Sequence, residues 1–197
     1  LGALAGDVAF LPTSAACGKI RGDFLNLTAL LCGNRFGRGL VRPGGCRHDL
    51  DYPRVATLRD QLREAMTEVE EAAGWLWQAS SVRARFEGTC PLSREAAEEL
   101  GLVGPVARAC GLLRDVRFDH PAGWHRFAQV PISVWPGGDV HARARVRWLE
   151  LQRSGAFIEE QLGEPPEGEP WTDPGSPAPD TLAVTLGEGW RGEVCHV

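Results

Sequence analysis

From Thr13 to Cys32, apolar side chains recur at spacings of three and four, with Cys17, Ile20, Phe24, Leu27 and Leu31 on one stripe. That period predicts a helix over 13–32 with one buried face, Thr13 or Ser14 placed to cap its start and Gly33-Asn34 its end. A second stripe, Val55, Leu58, Leu62, Met66, Val69, Ala73 and Leu76, leaves Asp60, Glu64, Glu68 and Glu71 on other faces. It predicts a helix over 54–79, about seven turns long. The third stripe, Val140, Ala144, Trp148, Leu151, Gly155, Ile158 and Leu162, follows Asp139 at the N-cap position and predicts a helix over 139–162. Gly155 stands on that seam, where it lets a neighbouring backbone come close at some cost in helix propensity.

Between the stripes the period fails. "RFGRGLVRPGGCRHDLDYP" is broken by Gly and Pro and cannot be regular throughout. "PLSREAAEELGL" predicts a short helix capped by Ser93 and stopped at Gly101. "GPVARACGLLRDVRFDHP", residues 104–121, has neither a helical nor a strand period and is expected to be irregular, with Leu112, Leu113, Val116 and Phe118 holding it on the bundle. Residues 163–180 form an acidic, proline-rich linker expected to be mobile, and "TLAVTL" and "EVCHV" within 181–197 predict a short β element. The fold class is therefore mainly α: a multihelical bundle over 1–162, the linker, then a small β element.

Composition narrows the function classes. The chain has 197 residues, 43% apolar and 24% charged, which suits one folded domain. Its formal net charge of −5 offers no basic surface for phosphates, so nucleic acid is not an expected partner. No apolar run reaches the roughly 18 residues of a membrane span. Six cysteines lie scattered without C-x-x-C spacing, which predicts reduced thiols. Cys46-Arg47-His48 and Cys195-His196 contain metal-ligand residue types, but structural zinc uses two pairs of ligands two to four residues apart, a form neither takes. No nucleophile elbow, P-loop or dinucleotide fingerprint occurs. Trp75 and Trp77 close the second stripe as packing residues. The chain opens without methionine in the apolar phrase "LGALAGDVAF", and reads as a segment of something longer.

The chemistry-bearing residues gather in the irregular segments. Arg35, Arg38 and Arg42 lie in one loop and Arg108, Arg114 and Arg117 in another, each after a predicted helix end, so the two loops are expected to converge at one end of the bundle. Guanidinium forks brace irregular backbone by binding carbonyls and carboxylates, here Asp115 or Asp119. Arg35, Arg42, Arg108, Arg114, Asp115, Arg117, His120, Asp139 and Arg143 are the candidate residues for supporting a cofactor or facing another subunit.

The phrases "LGALAGDVAF", "GNRFGRGLVRPGG", "LGLVGPVARACGLLRDVRFDHP", "GDVHARARVRWLELQRSGAFIEEQL" and "WRGEV", in this order and spacing, resemble the large subunit of membrane-bound, energy-converting and formate-hydrogenlyase-type nickel–iron hydrogenases. They equally resemble the homologous 49-kDa-type subunit of NADH:quinone oxidoreductase. The resemblance implies a multihelical redox subunit, peripheral on the inner face of the cytoplasmic membrane, docked on an iron–sulfur small subunit and on membrane-arm subunits. It implies a nickel–iron centre or quinone in the whole subunit, with iron–sulfur clusters in the partner and no cofactor in this segment. In hydrogenases two cysteine pairs hold the metals, and neither pair occurs here. The quinone-contacting histidine and tyrosine of the other branch are expected upstream of Leu1. That branch also commonly carries a histidine where this chain has Gly37-Arg38, a departure that favours the hydrogenase side. A metal-free helical scaffold is the third expectation.

Overall fold

The computed structural model describes residues 1–165 and 167–197. Three long helices dominate it. They are α2 (Leu11–Cys32), α3 (Tyr52–Gln78) and α8 (Val140–Gly163), preceded by the short α1 (Gly2–Asp7). Each begins for an identifiable reason. Asp51 accepts the Arg54 amide at 2.9 Å to open α3, and Asp139 accepts the Ala142 amide at 2.7 Å to open α8. For α2 the expected cap is wrong: Phe10 takes that position without a side-chain bond and Pro12 sits in the first turn. Thr13 is instead fully buried, its hydroxyl donating to the Ala72 carbonyl at 2.7 Å and tying α2 to α3. Gly33 ends α2 with φ 73°, a left-handed cap that glycine adopts without strain.

The contacts fix the helix directions. Thr13 meets Ala72 and Lys19 meets Glu68, so α2 and α3 run antiparallel. Arg63 pairs with Glu159 at 2.6 Å while Trp77 meets His141, so α3 and α8 are antiparallel too. One core layer joins Ile20, Val69 and Ala72 with Phe24 and Trp148, and another joins Ala5, Leu76, Val82, Phe86 and Ala144. Gly155 makes room for the side chain of Met66 on α3 rather than for a neighbouring backbone. The far half of the α8 stripe is less covered than its period implies, for Leu151 and Ile158 remain partly exposed.

Short elements fill the segments without a period. Val41–Arg42 (β1) and Gly45–Cys46 (β2) form a small antiparallel hairpin. Helix α4 (Ser80–Phe86) continues from α3, and α5 (Arg94–Glu99) starts at Ser93, whose hydroxyl accepts the Ala96 amide. The stretch 104–121, expected to be irregular, contains α6 (Gly104–Ala109), opened by Pro105, and α7 (Val116–Asp119), capped by Asp115. Helices of one or two turns are too short to print a period.

The segment 163–180 also departs from expectation. Its Pro170–Thr172 portion docks on the first hairpin: Cys46 N–H donates to the Pro170 carbonyl at 2.8 Å, Thr172 N–H to Gly44 at 3.0 Å, and the Trp171 indole to Pro43 at 2.8 Å. Pro166 lies outside the described residues. The terminal β element is an antiparallel ribbon of β3 (Thr185–Gly189) and β4 (Gly192–His196), with its first strand starting four residues later than "TLAVTL" suggests.

Candidate functional site

The loop that follows α6 carries charge inward. Arg108, on the last turn of α6, is only 1% exposed. Its Nη1 donates to Glu188 at 2.8 Å and to the Arg114 carbonyl at 3.2 Å, and lies 3.3 Å from Asp115, while its Nη2 is 3.4 Å from Glu150. Arg117, on the α7 turn, forks onto Asp115 with Nε at 2.9 Å and Nη2 at 2.6 Å, and Nη2 also reaches Glu150 at 3.0 Å. Two guanidiniums thus share three carboxylates from α8, the α7 cap and the β3 strand. Charge withdrawn from water to this extent is tolerated because each oxygen of the three carboxylates meets a donor.

The electrostatics follow from that geometry. Burial alone pushes the Asp115 carboxyl up, but the Arg117 hydrogen bond and the Arg117 and Arg108 charges together outweigh it, so its pKa is lowered. Arg117 is held cationic more firmly than usual, first by its bond to Asp115. Glu188 also accepts the Val116 amide at 3.3 Å, and Asp119 accepts the Asp115 amide at 3.0 Å. The node therefore fixes α6, α7, α8 and the β3–β4 ribbon in one arrangement.

The structure sorts the candidate residues into separate places. Arg108, Asp115 and Arg117 come together, and Arg114 contributes its carbonyl while its side chain is exposed. His120 is exposed. Asp139 caps α8 and also accepts the Gly88 amide at 2.8 Å, and Arg143 donates to the Gly138 carbonyl at 2.9 Å, so both hold the strap before α8 rather than the node. The two arginine loops do not converge. Arg35 lies back against α2 beside Gly22, and Arg42 lies 4.7 Å over the Trp171 ring at the far hairpin. They sit where α2 ends and α3 begins, whereas the node sits beside the first half of α8. Leu112 and Val116 anchor the loop as expected, but Leu113 and Phe118 are exposed.

Sequence reasoning missed Glu150 and Glu188, which complete the node. The only signal for Glu150 is a carboxylate beside the apolar α8 stripe, and Glu188 sits between glycines in a strand that alternates weakly. The six cysteines stand as free thiols, and among the described residues no three His, Cys, Asp or Glu side chains converge as a metal-ligand set.

Residues 7–183 match the family described as the respiratory-chain NADH dehydrogenase 49 kDa subunit. The chain is 30% identical over 183 residues to a D-type subunit of the NADH-quinone oxidoreductase of Chloroherpeton thalassium, covering 88% of this chain and 42% of that protein. It is 32% identical over 165 residues to the carbon monoxide-induced hydrogenase of Rhodospirillum rubrum, covering 83% and 46%. With formate hydrogenlyase subunit 5 of Escherichia coli it shares 28% identity over 178 residues, covering 90% and 31%. Its fold superposes with a TM-score of 0.86 on a chain of the membrane-bound sulfane sulfur reductase, an archaeal respiratory membrane complex, at 26% identity and with 99% of this chain and 55% of that one covered. The chain thus spans less than half the length of these curated relatives.

Proposed function

The chain belongs to the respiratory-chain NADH dehydrogenase 49 kDa subunit family, and from that membership we propose that it is the helical core of a large redox subunit in a membrane-associated oxidoreductase complex of hydrogenase or formate-hydrogenlyase type. The observation that carries this reading is the family match over 7–183, which includes all three long helices and the buried node. Relatives named as hydrogenases and as NADH-quinone oxidoreductases resemble the chain about equally, so Gly37-Arg38 in place of a histidine tips the balance to the hydrogenase side. The quinone-reducing 49-kDa-type subunit of an NADH:quinone oxidoreductase is the second reading, supported by the 30% identical relative from Chloroherpeton thalassium.

Residues present in this chain do not fit a nickel–iron centre. The cysteines are dispersed and no ligand set converges among the described residues, so they offer such a centre no first set of bonds. The contribution of these residues is mechanical and electrostatic. The node holds four elements in register in a largely buried cluster, which gives the larger subunit a rigid frame on which an iron–sulfur partner could dock. Among the described residues no helix is long and apolar enough to cross a membrane, which suits a peripheral position on the inner membrane face, beside membrane-arm subunits.

The test is to purify the complete complex from membranes and assay hydrogen evolution from a reduced viologen against quinone reduction by NADH. Hydrogen evolution is the expected result. Quinone reduction without hydrogen assigns the second reading, and an intact complex with neither activity makes the chain a scaffold.

A further inference from the structure

Beside the node, between α6, α8 and the β3–β4 turn, opens a cleft of about 390 Å³. That volume falls in the range of small-molecule sites. The carboxylates at its edge are already served: Glu150 by Arg117 and Arg108, and Glu188 by Arg108 and the Val116 amide. Each oxygen of these two carboxylates already meets a donor of the chain, whereas donors on the same walls remain free.

Along the α8 wall run Arg147, Leu151 and Ser154, spaced four and three and so on one face of the helix. Arg147 donates Nη1 to the Arg143 carbonyl at 3.0 Å, and among the described residues it joins no ion pair. Burial, and then the Arg143 charge, push its pKa down, the mark of a cation without a counter-charge. Pro105, Leu151 and Trp190 supply apolar surface, the last being largely exposed on the ribbon turn. Unused donors beside an apolar wall complement an acceptor-rich head on an apolar body. A dianion is disfavoured because Glu150 and Glu188 line the same space.

We propose that this cleft is a binding site for a small organic monoanion, a carboxylate on a flat apolar body, with Arg147 holding the carboxylate, Ser154 donating to it, and Leu151 and Trp190 covering the body. Arg147 can bind it bidentately, using donors that no side chain of the chain itself occupies.

Benzoate is the probe, and isothermal titration of the complete subunit in its purified complex is the measurement. Benzoate is expected to bind about tenfold or more tightly than benzamide, which keeps the ring and loses the charge. Arg147→Gln should weaken benzoate about tenfold while leaving benzamide unchanged, Arg147→Lys, which keeps the charge but loses the bidentate fork, should weaken benzoate by roughly a few-fold, and Arg63→Gln, on the opposite seam, should change nothing. Circular dichroism establishes that each variant is folded. Should Arg147→Gln fail to fold, the benzoate–benzamide comparison and Arg147→Lys decide, together with Trp190→Ala, expected to weaken benzoate. Equal binding of benzoate and benzamide, benzoate affinity unaltered in Arg147→Gln, or no benzoate heat at all overturns the proposal.

Discussion

Asp115 shows how a residue can be both cap and counter-charge. Its Oδ1 accepts the Arg117 amide at 3.0 Å to start α7, while both oxygens face guanidiniums. Its pKa in the folded chain lies below the unfolded value of about 3.9. The folded protein therefore releases this proton more readily, so the stabilisation is complete above about pH 4 and is lost as the pH falls through the folded value. Thermal melts taken from pH 7 down to about pH 2.5 should show that loss, and Asp115→Asn should flatten it. At neutral pH the same substitution should cost about 3 kcal/mol, since it takes the shared negative charge away from two buried guanidiniums while Asn keeps the α7 cap. A melt of Asp115→Asn indistinguishable from wild type would show that water already screens the node. Arg108, Asp115 and Arg117 were legible as candidates because charge without a period stands out in a sequence. Glu150 and Glu188 were not, because carboxylates on a helix flank and in a short strand look like solvated surface until the fold brings them against Arg108.

Among the elements, short ones depend on backbone contacts that no hydrophobic period records. Gly104 has φ 67° and presses on the backbone of Gly192, so α6 and β4 touch main chain to main chain. An added methyl would be strained in that conformation and would collide with the ribbon. Gly104→Ala is therefore expected to release β3–β4 before the helices unfold, seen as faster amide exchange at Thr185–Gly189 and Gly192–His196 with the α3 amides still protected. Asp139 secures a different junction, capping α8 and binding the Gly88 amide. Asp139→Ala should lower stability by about 1–2 kcal/mol, read as a shift in the denaturant midpoint at constant slope. The same logic explains the docked segment: Trp171 is one aromatic in a proline-rich run, and only the hairpin it lands on makes it structural. Trp171→Ala should open residues 167–180 to limited proteolysis while the helical melting temperature stays within about 2 °C. The long helices were readable because each buries one face over many turns. The β3–β4 ribbon was readable except for its start, whereas the first hairpin, α6 and α7 were not, because turn chemistry and contacts across the chain specify them.

For the molecule as a whole, the node is where separately folded pieces become one body, and its charge count predicts how it fails. Two guanidiniums and three carboxylates leave the ion-paired group one negative charge in excess. Removing a carboxylate relieves that excess, whereas removing a guanidinium doubles it in a region where charge is poorly screened. Glu188→Gln should therefore be the milder change, costing about 1–2 kcal/mol and loosening mainly the ribbon, because Arg108 keeps Asp115 and Glu150. Arg108→Gln should cost about 4 kcal/mol or more, because it leaves Glu188 without a cation and Asp115 and Glu150 sharing Arg117 alone. The double variant Arg108→Gln/Glu188→Gln should be more stable than the sum of the single losses implies, by about 1–3 kcal/mol, since the second change removes the stranded charge. Urea unfolding of the four proteins at neutral pH measures all three quantities. Additive losses, or Glu188→Gln as damaging as Arg108→Gln, would mean that the carboxylates act independently and that the charge excess has no part in holding the bundle to its ribbon.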